Sequence, residues 1–119
     1  GYQFQLERVV LAAKKTETGK DYGQITEKGG VPVLELDNGE TITETAVILQ
    51  YLADQKPESN LAPKNGSFER VRLQEWLNYI SSEMHKGIGI LFSPINDDAK
   101  NFMRKKAEGK FDYLSRQLQ

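Results

Sequence analysis

The 119 residues, 38% hydrophobic and 28% charged, suit one globular domain or parts of two, and are too apolar for a disordered chain. The net charge of −1, with Lys and Arg interleaved with Asp and Glu over 100–110, lacks the basic stripe of a nucleic-acid binder, so no nucleic acid partner is expected. Having no cysteine excludes disulfides, thiolate zinc sites and a cysteine nucleophile within these residues, and no run reaches membrane-spanning length.

No basic stretch followed by an apolar one opens the chain, so no leader and a cytoplasmic location are expected. "FQLERVVL" (4–11) is apolar and carries β-branched residues, which predicts a strand. Residues 12–30 are polar and glycine-bearing, and read as loop with one helical turn. "VPVLEL" (31–36) predicts a second strand with Pro32 at its mouth, because proline donates nothing to a ladder. Asn38-Gly39 is a strong hairpin signal, and "TIT" (41–43) is the returning strand.

"TETAVILQYLAD" (43–54) predicts a helix. Thr43 or Thr45 caps it, Glu44 falls in its first turn, and Val47, Ile48, Tyr51 and Leu52 recur at helical spacing. Two prolines, a glycine and two asparagines in 55–67 mark an interdomain linker. A second helix starts at Ser67 as N-cap with Glu69 just inside. Its stripe of Leu73, Trp76, Leu77, Ile80 and Met84 fades at Gly87 and Gly89, and Pro94 stops it. Residues 96–119 predict a last helix that begins at Asp97 or Asp98, with Phe102, Ala107, Phe111 and Leu114 on its apolar face. A mixed α/β front, 1–54, and an all-α back, 68–119, therefore flank a linker at 55–67, and the order suggests parts of two domains, truncated at both ends.

Two blocks carry a resemblance: "GGVPVLELDNGETITETAVILQYLAD" and "EWLNYISSEMHKGIGILFSP". Together, and in register, they resemble the glutathione S-transferases, specifically the bacterial beta class, over nearly the whole chain. The resemblance implies a thioredoxin-like α/β N-terminal part joined to an all-α C-terminal part. It also implies that the family's first strand and helix precede Gly1 and that its last helices follow Gln119. The absent strand would lie between the first two strands predicted here; either the missing segments were cleaved off or are disordered, or a second chain fills that gap.

The family's site residues carry over position by position. The resemblance implies a cis Val31–Pro32 bond, which turns the Val31 N–H and C=O outward to pair with the cysteinyl backbone of glutathione. Glu44 and Thr45 match the pair that opens the next helix. They imply acceptance of the ligand's ammonium by Glu44 and a hydroxyl donor to the γ-glutamyl carboxylate from Thr45, beside free helix N–H groups. Family members more often carry serine or glycine at position 45. Lys14, with Lys15 beside it, resembles the lysine that meets the glycyl carboxylate. His85, followed by Lys86, matches a histidine near the thiol and is the one catalytic residue the resemblance places here. Asn78 and Ser82, on the same helix, resemble polar residues of that cleft. Without the resemblance these residues read as ordinary capping, a surface lysine and a structural or exposed histidine.

The function so implied is conjugation of the glutathione thiol to an electrophilic apolar small molecule, as in detoxification. Glutathione would be substrate, with no metal, in a homodimer with no membrane or nucleic acid partner. The alternatives are a non-catalytic binding or scaffold protein, or a glutathione-dependent reductase or dehalogenase.

Overall fold

Asn38-Gly39 behaves as its chemistry predicts. In the computed structural model, which describes residues 2–119, Gly39 adopts φ +83° and its N–H donates to the Leu36 carbonyl at 2.8 Å. The Asn38 side chain accepts from the Glu40 N–H at 3.0 Å. This turn joins β3 (Val33–Glu35) to β4 (Thr41–Thr43) as an antiparallel hairpin with Val33 opposite Thr43 and Glu35 opposite Thr41. The chain forms two units, Gly1–Gln55 and Lys56–Gln119.

In the first unit the strand expected over 4–11 shrinks to β1 (Val9–Val10), followed by a 3₁₀ turn at Leu11–Ala13. Its partner β2 (Lys15–Thr16) is equally short and lies in the segment expected as loop. Apolar character alone did not make residues 4–8 a strand: a strand is its ladder, and here the ladder has two residue pairs. Lys14 closes the connection in the left-handed region at φ +51°. The expected helical turn is α1 (Tyr22–Ile25), capped by Asp21 accepting from the Gly23 N–H. Among the described residues β1–β2 and β3–β4 are separate two-stranded sheets.

α2 (Thr45–Gln55) follows β4 after one residue. That residue, Glu44, was expected inside the first turn. It sits before the helix at φ +70°, and its carbonyl accepts from the Val47 and Ile48 N–H groups. Neither threonine caps by side chain: the Glu44 backbone starts the helix. Ile48 and Ala53 are buried, whereas Val47, expected on the apolar face, is exposed.

In the second unit α3 (Phe68–Tyr79) starts as predicted. Ser67 accepts from the Arg70 N–H and Glu69 lies in the first turn. The helical path then widens into a π segment, Ile80–His85, continues as α4 (Lys86–Gly89) and tightens into a 3₁₀ turn at Ile90–Phe92. Gly87 and Gly89 therefore do not end it. Each costs only about 1 kcal/mol in a helix, and the stop comes at Ser93, which is extended as a residue before proline must be. The π turn shifts the stripe: Met84 is buried, but Ile80 is 45% exposed.

α5 (Asp97–Gln117) starts at Asp97 as expected, capped by Asn96, which accepts from the Ala99 N–H, with Asp97 and Asp98 in the first turn. Its half-buried positions are Ala99, Lys100, Met103, Ala107, Lys110 and Leu114. Phe102 and Phe111, expected inside, are 61% and 46% exposed. Trp76 stacks on Tyr113, and Tyr79 meets both rings edge-on. No helix among the described residues is long and apolar enough to cross a membrane.

Candidate functional site

The β3–β4 register decides what lies near what. Because Val33 faces Thr43, chain continuing outward from the two strands carries Val31–Pro32 and Glu44–Thr45 to the same end of the hairpin. The Val31–Pro32 bond is cis and Val31 is 51% exposed. Among the described residues no hydrogen bond engages the Val31 N–H or C=O. An exposed peptide unit beside a ladder end can add one more strand-like partner.

Across from it, the N–H groups of Thr45 and Ala46 open α2 without a partner among the described residues, since the first helical turn has no earlier carbonyl to offer them. The helix dipole places partial positive charge at the same point. Glu44, Thr45 and Val31 are exposed. A non-glycine residue at φ +70° is held against a cost of order 1 kcal/mol. The outlier turns the Glu44 backbone so that its carbonyl starts the helix while its side chain stays in solvent.

Lys28 is a member of this cluster that the sequence reading missed. Its ammonium donates to the Thr43 hydroxyl at 2.9 Å and to the Glu44 carboxylate at 3.3 Å. Both partners of the Lys28–Glu44 pair are largely exposed, so the pair contributes little stability and mainly biases the Glu44 side chain. Tyr22 was also missed. It is 3% exposed, and its hydroxyl donates to the Gly30 carbonyl at 2.7 Å. Burial pushes the Tyr22 phenol pKa up, so it remains a donor. Only the helical turn expected within the polar, glycine-bearing segment 12–30 hinted at ordered structure there.

Lys14 is exposed, and its carbonyl accepts from the Tyr22 N–H at 2.9 Å. It therefore connects through Tyr22 to the Gly30–Val31 segment. Val31, Pro32, Glu44 and Thr45 share one hairpin end, and Tyr22 links the Lys14 turn to the Gly30–Val31 segment beside it.

Asn78, Ser82 and His85 lie in the second unit. Asn78 is exposed near the end of α3, Ser82 is exposed within the π segment, and His85 is its exposed last residue. The Ser82 hydroxyl donates to the Asn78 carbonyl at 2.9 Å, so its proton is used locally. The wider winding between them and His85 means that α-helical spacing does not carry through this stretch. At Glu83, next to Ser82, the backbone carbonyl accepts from the Lys110 ammonium of α5 at 2.7 Å and the carboxylate accepts from it at 2.8 Å. That hydrogen bond, helped by the charge of Lys110, holds the Glu83 carboxyl below the usual carboxylate range. An apolar cleft beside it is lined by Met84, Ile88, Met103, Ala107 and Phe111.

The first unit offers an open peptide unit, two free helix N–H groups, a hydroxyl, a carboxylate and a lysine. That set can recognise a short peptide bearing an ammonium and more than one carboxylate. Residues 1–55 match the family profile "Glutathione S-transferase, N-terminal domain". The chain is 41% identical over 119 residues to glutathione S-transferase GstA of Escherichia coli O157:H7, covering 99% of this chain and 59% of that protein. It superposes with a TM-score of 0.95 and 49% identity on a bacterial glutathione S-transferase, BphK, solved as a ternary complex. A bacterial beta-class glutathione S-transferase of Sphingomonas chungbukensis aligns with a TM-score of 0.92 and 42% identity. In both structures the match covers 98% of this chain and 59% of the other. The chain thus spans about three-fifths of the length of the relatives it matches.

Proposed function

The chain belongs to the glutathione S-transferase family, in its bacterial beta class, and we propose that it forms the peptide-binding part of an enzyme that conjugates glutathione to electrophilic apolar small molecules. The observation that carries this reading is the shared hairpin end: among the described residues, an unpartnered Val31 peptide unit on one side, and Glu44, Thr45 and free helix N–H groups on the other.

In this reading the Val31 N–H and C=O pair with the cysteinyl backbone and fix the direction of the thiol, with Pro32 shaping the turn. The Thr45 and Ala46 N–H groups and the Thr45 hydroxyl receive the γ-glutamyl α-carboxylate. Glu44 accepts from the ammonium beside it, and Lys14 meets the glycyl carboxylate. Charge-assisted contacts to the three charged groups of the ligand, with the neutral Val31 pairing, suffice to bind a small zwitterionic peptide.

The nucleophile is the glutathione thiolate, so the protein's chemical task is to lower the thiol pKa and hold sulfur against the electrophile. By the family resemblance, His85 with Asn78 and Ser82 serves the thiol, since an imidazole can donate to sulfur. A cytoplasmic homodimer is the working assembly in this reading, and fusion of the two domains, 1–54 and 68–119, through the 55–67 linker is its organisation.

Retention on immobilised glutathione tests the site. The wild-type chain should bind and elute with free glutathione, and Glu44→Ala should flow through. Equal retention of both would remove Glu44 from the site, and no retention of a folded wild type would remove the function.

A further inference from the structure

The segment that presents Val31 has little to hold it. Gly29 takes φ +65°, Gly30 follows, and the ladder begins only at Val33. Two adjacent glycines leave this stretch free to adopt many backbone conformations. Two hydrogen bonds restrain it: the Gly29 N–H to the Thr26 carbonyl at 3.3 Å, and the Tyr22 hydroxyl to the Gly30 carbonyl at 2.7 Å. The second is the shorter, and it acts on the peptide group that joins Gly30 to Val31, the one that contains the Val31 N–H.

Tyr22 is well placed for the task. Its ring is buried, its hydroxyl lies in a site where it keeps its proton, and α1 fixes its backbone. Its own N–H holds the Lys14 carbonyl at 2.9 Å. One residue therefore restrains both the lysine turn and the valine turn.

The geometry points to Tyr22 as the positioning residue of the glutathione site: the phenol fixes the Gly30–Val31 peptide at the angle that receives the cysteinyl backbone. This rests on the glutathione reading above. In this assignment the phenol acts through the Gly30–Val31 peptide and not on the ligand itself.

The test replaces the hydroxyl and little else. Tyr22→Phe should raise the dissociation constant for glutathione about tenfold, measured by calorimetry on the whole chain. The loss should be the same for γ-glutamylcysteine, because the weakened contact is to the cysteinyl unit. Replacing Tyr22 by 4-aminophenylalanine, which keeps ring length and an N–H donor, should restore most of the affinity. Ser67→Ala, a helix-cap lesion in the other unit, controls for general destabilisation and should leave the affinity unchanged.

Phe and 4-aminophenylalanine binding equally weakly would make Tyr22 a packing residue and overturn the proposal, as would wild-type affinity in Tyr22→Phe. A wild type that binds no glutathione would instead overturn the functional reading itself.

Discussion

Val33 stands opposite Thr43 in the β3–β4 ladder, and that one pairing brings the Val31–Pro32 and Glu44–Thr45 segments to the same end of the hairpin. A slip of one residue would turn every side chain of the slipped strand to the other face and shift Val31 relative to Glu44. The Asn38-Gly39 turn prevents that slip by fixing the loop length.

Glu44 should show opposed effects on stability and binding. Glycine adopts φ +70° without steric cost, which recovers of order 1 kcal/mol of backbone strain. Its freer unfolded chain gives back about 0.5–1 kcal/mol. Glu44→Gly should therefore leave the denaturation midpoint unchanged or slightly raised, while glutathione affinity falls about tenfold with the lost charge-assisted contact. Paired denaturation and calorimetry check this; a fall in both would show that the side chain, not the ligand, needed this conformation.

His85→Ala should slow conjugation of a chromogenic aryl halide while thermal stability stays within about 0.5 kcal/mol of wild type, as at other exposed positions. His85 is exposed and makes no contact that its loss would leave unpaired among the described residues. A stability collapse would instead assign it to the fold.

Acid should weaken the second unit through Glu83. Its carboxyl is depressed in the folded state by Lys110, so the pairing stabilises the fold above the ordinary glutamate range and is lost as pH falls through and below it. Melting curves taken down through the carboxylate range should fall more steeply for wild type than for Glu83→Gln. Parallel curves would show that the pair is screened by solvent.

Met84→Ala should cost about 2–5 kcal/mol, as removal of a buried side chain does. Met84 is 8% exposed and sits on the π turn against the α5 cleft. Ile80→Ala, expected to be equally costly from helical spacing alone, should be much milder. Chemical denaturation of the two variants checks the register shift.

The parts of the fold legible in the sequence are those with local chemistry. Asn38-Gly39 and the Ser67 cap announce themselves because turn and cap geometry depend on a few adjacent residues. The thioredoxin-like and helical halves, and the family, were legible because the two motif blocks keep their spacing. The rest depends on partners distant in the chain. The π turn at Ile80–His85 follows from packing, and no residue in "ISSEMH" marks it. Glu44 gives no hint of a left-handed backbone, since glutamate is not a residue that favours it. Tyr22 lay in a stretch read as loop, and its role emerges only when its hydroxyl is seen at Gly30. Lys28 was one lysine among many until the hairpin placed it beside Glu44.

Titration of reduced glutathione into the isotope-labelled chain, followed by amide NMR, reads the cradle directly. The Val31, Thr45 and Ala46 amide signals should shift together and saturate along one binding curve, with amides of the Asn38-Gly39 turn unmoved. Signals of Val31 and the α2 start that stay in place while glutathione binds, or that follow different curves, would contradict the shared hairpin-end site.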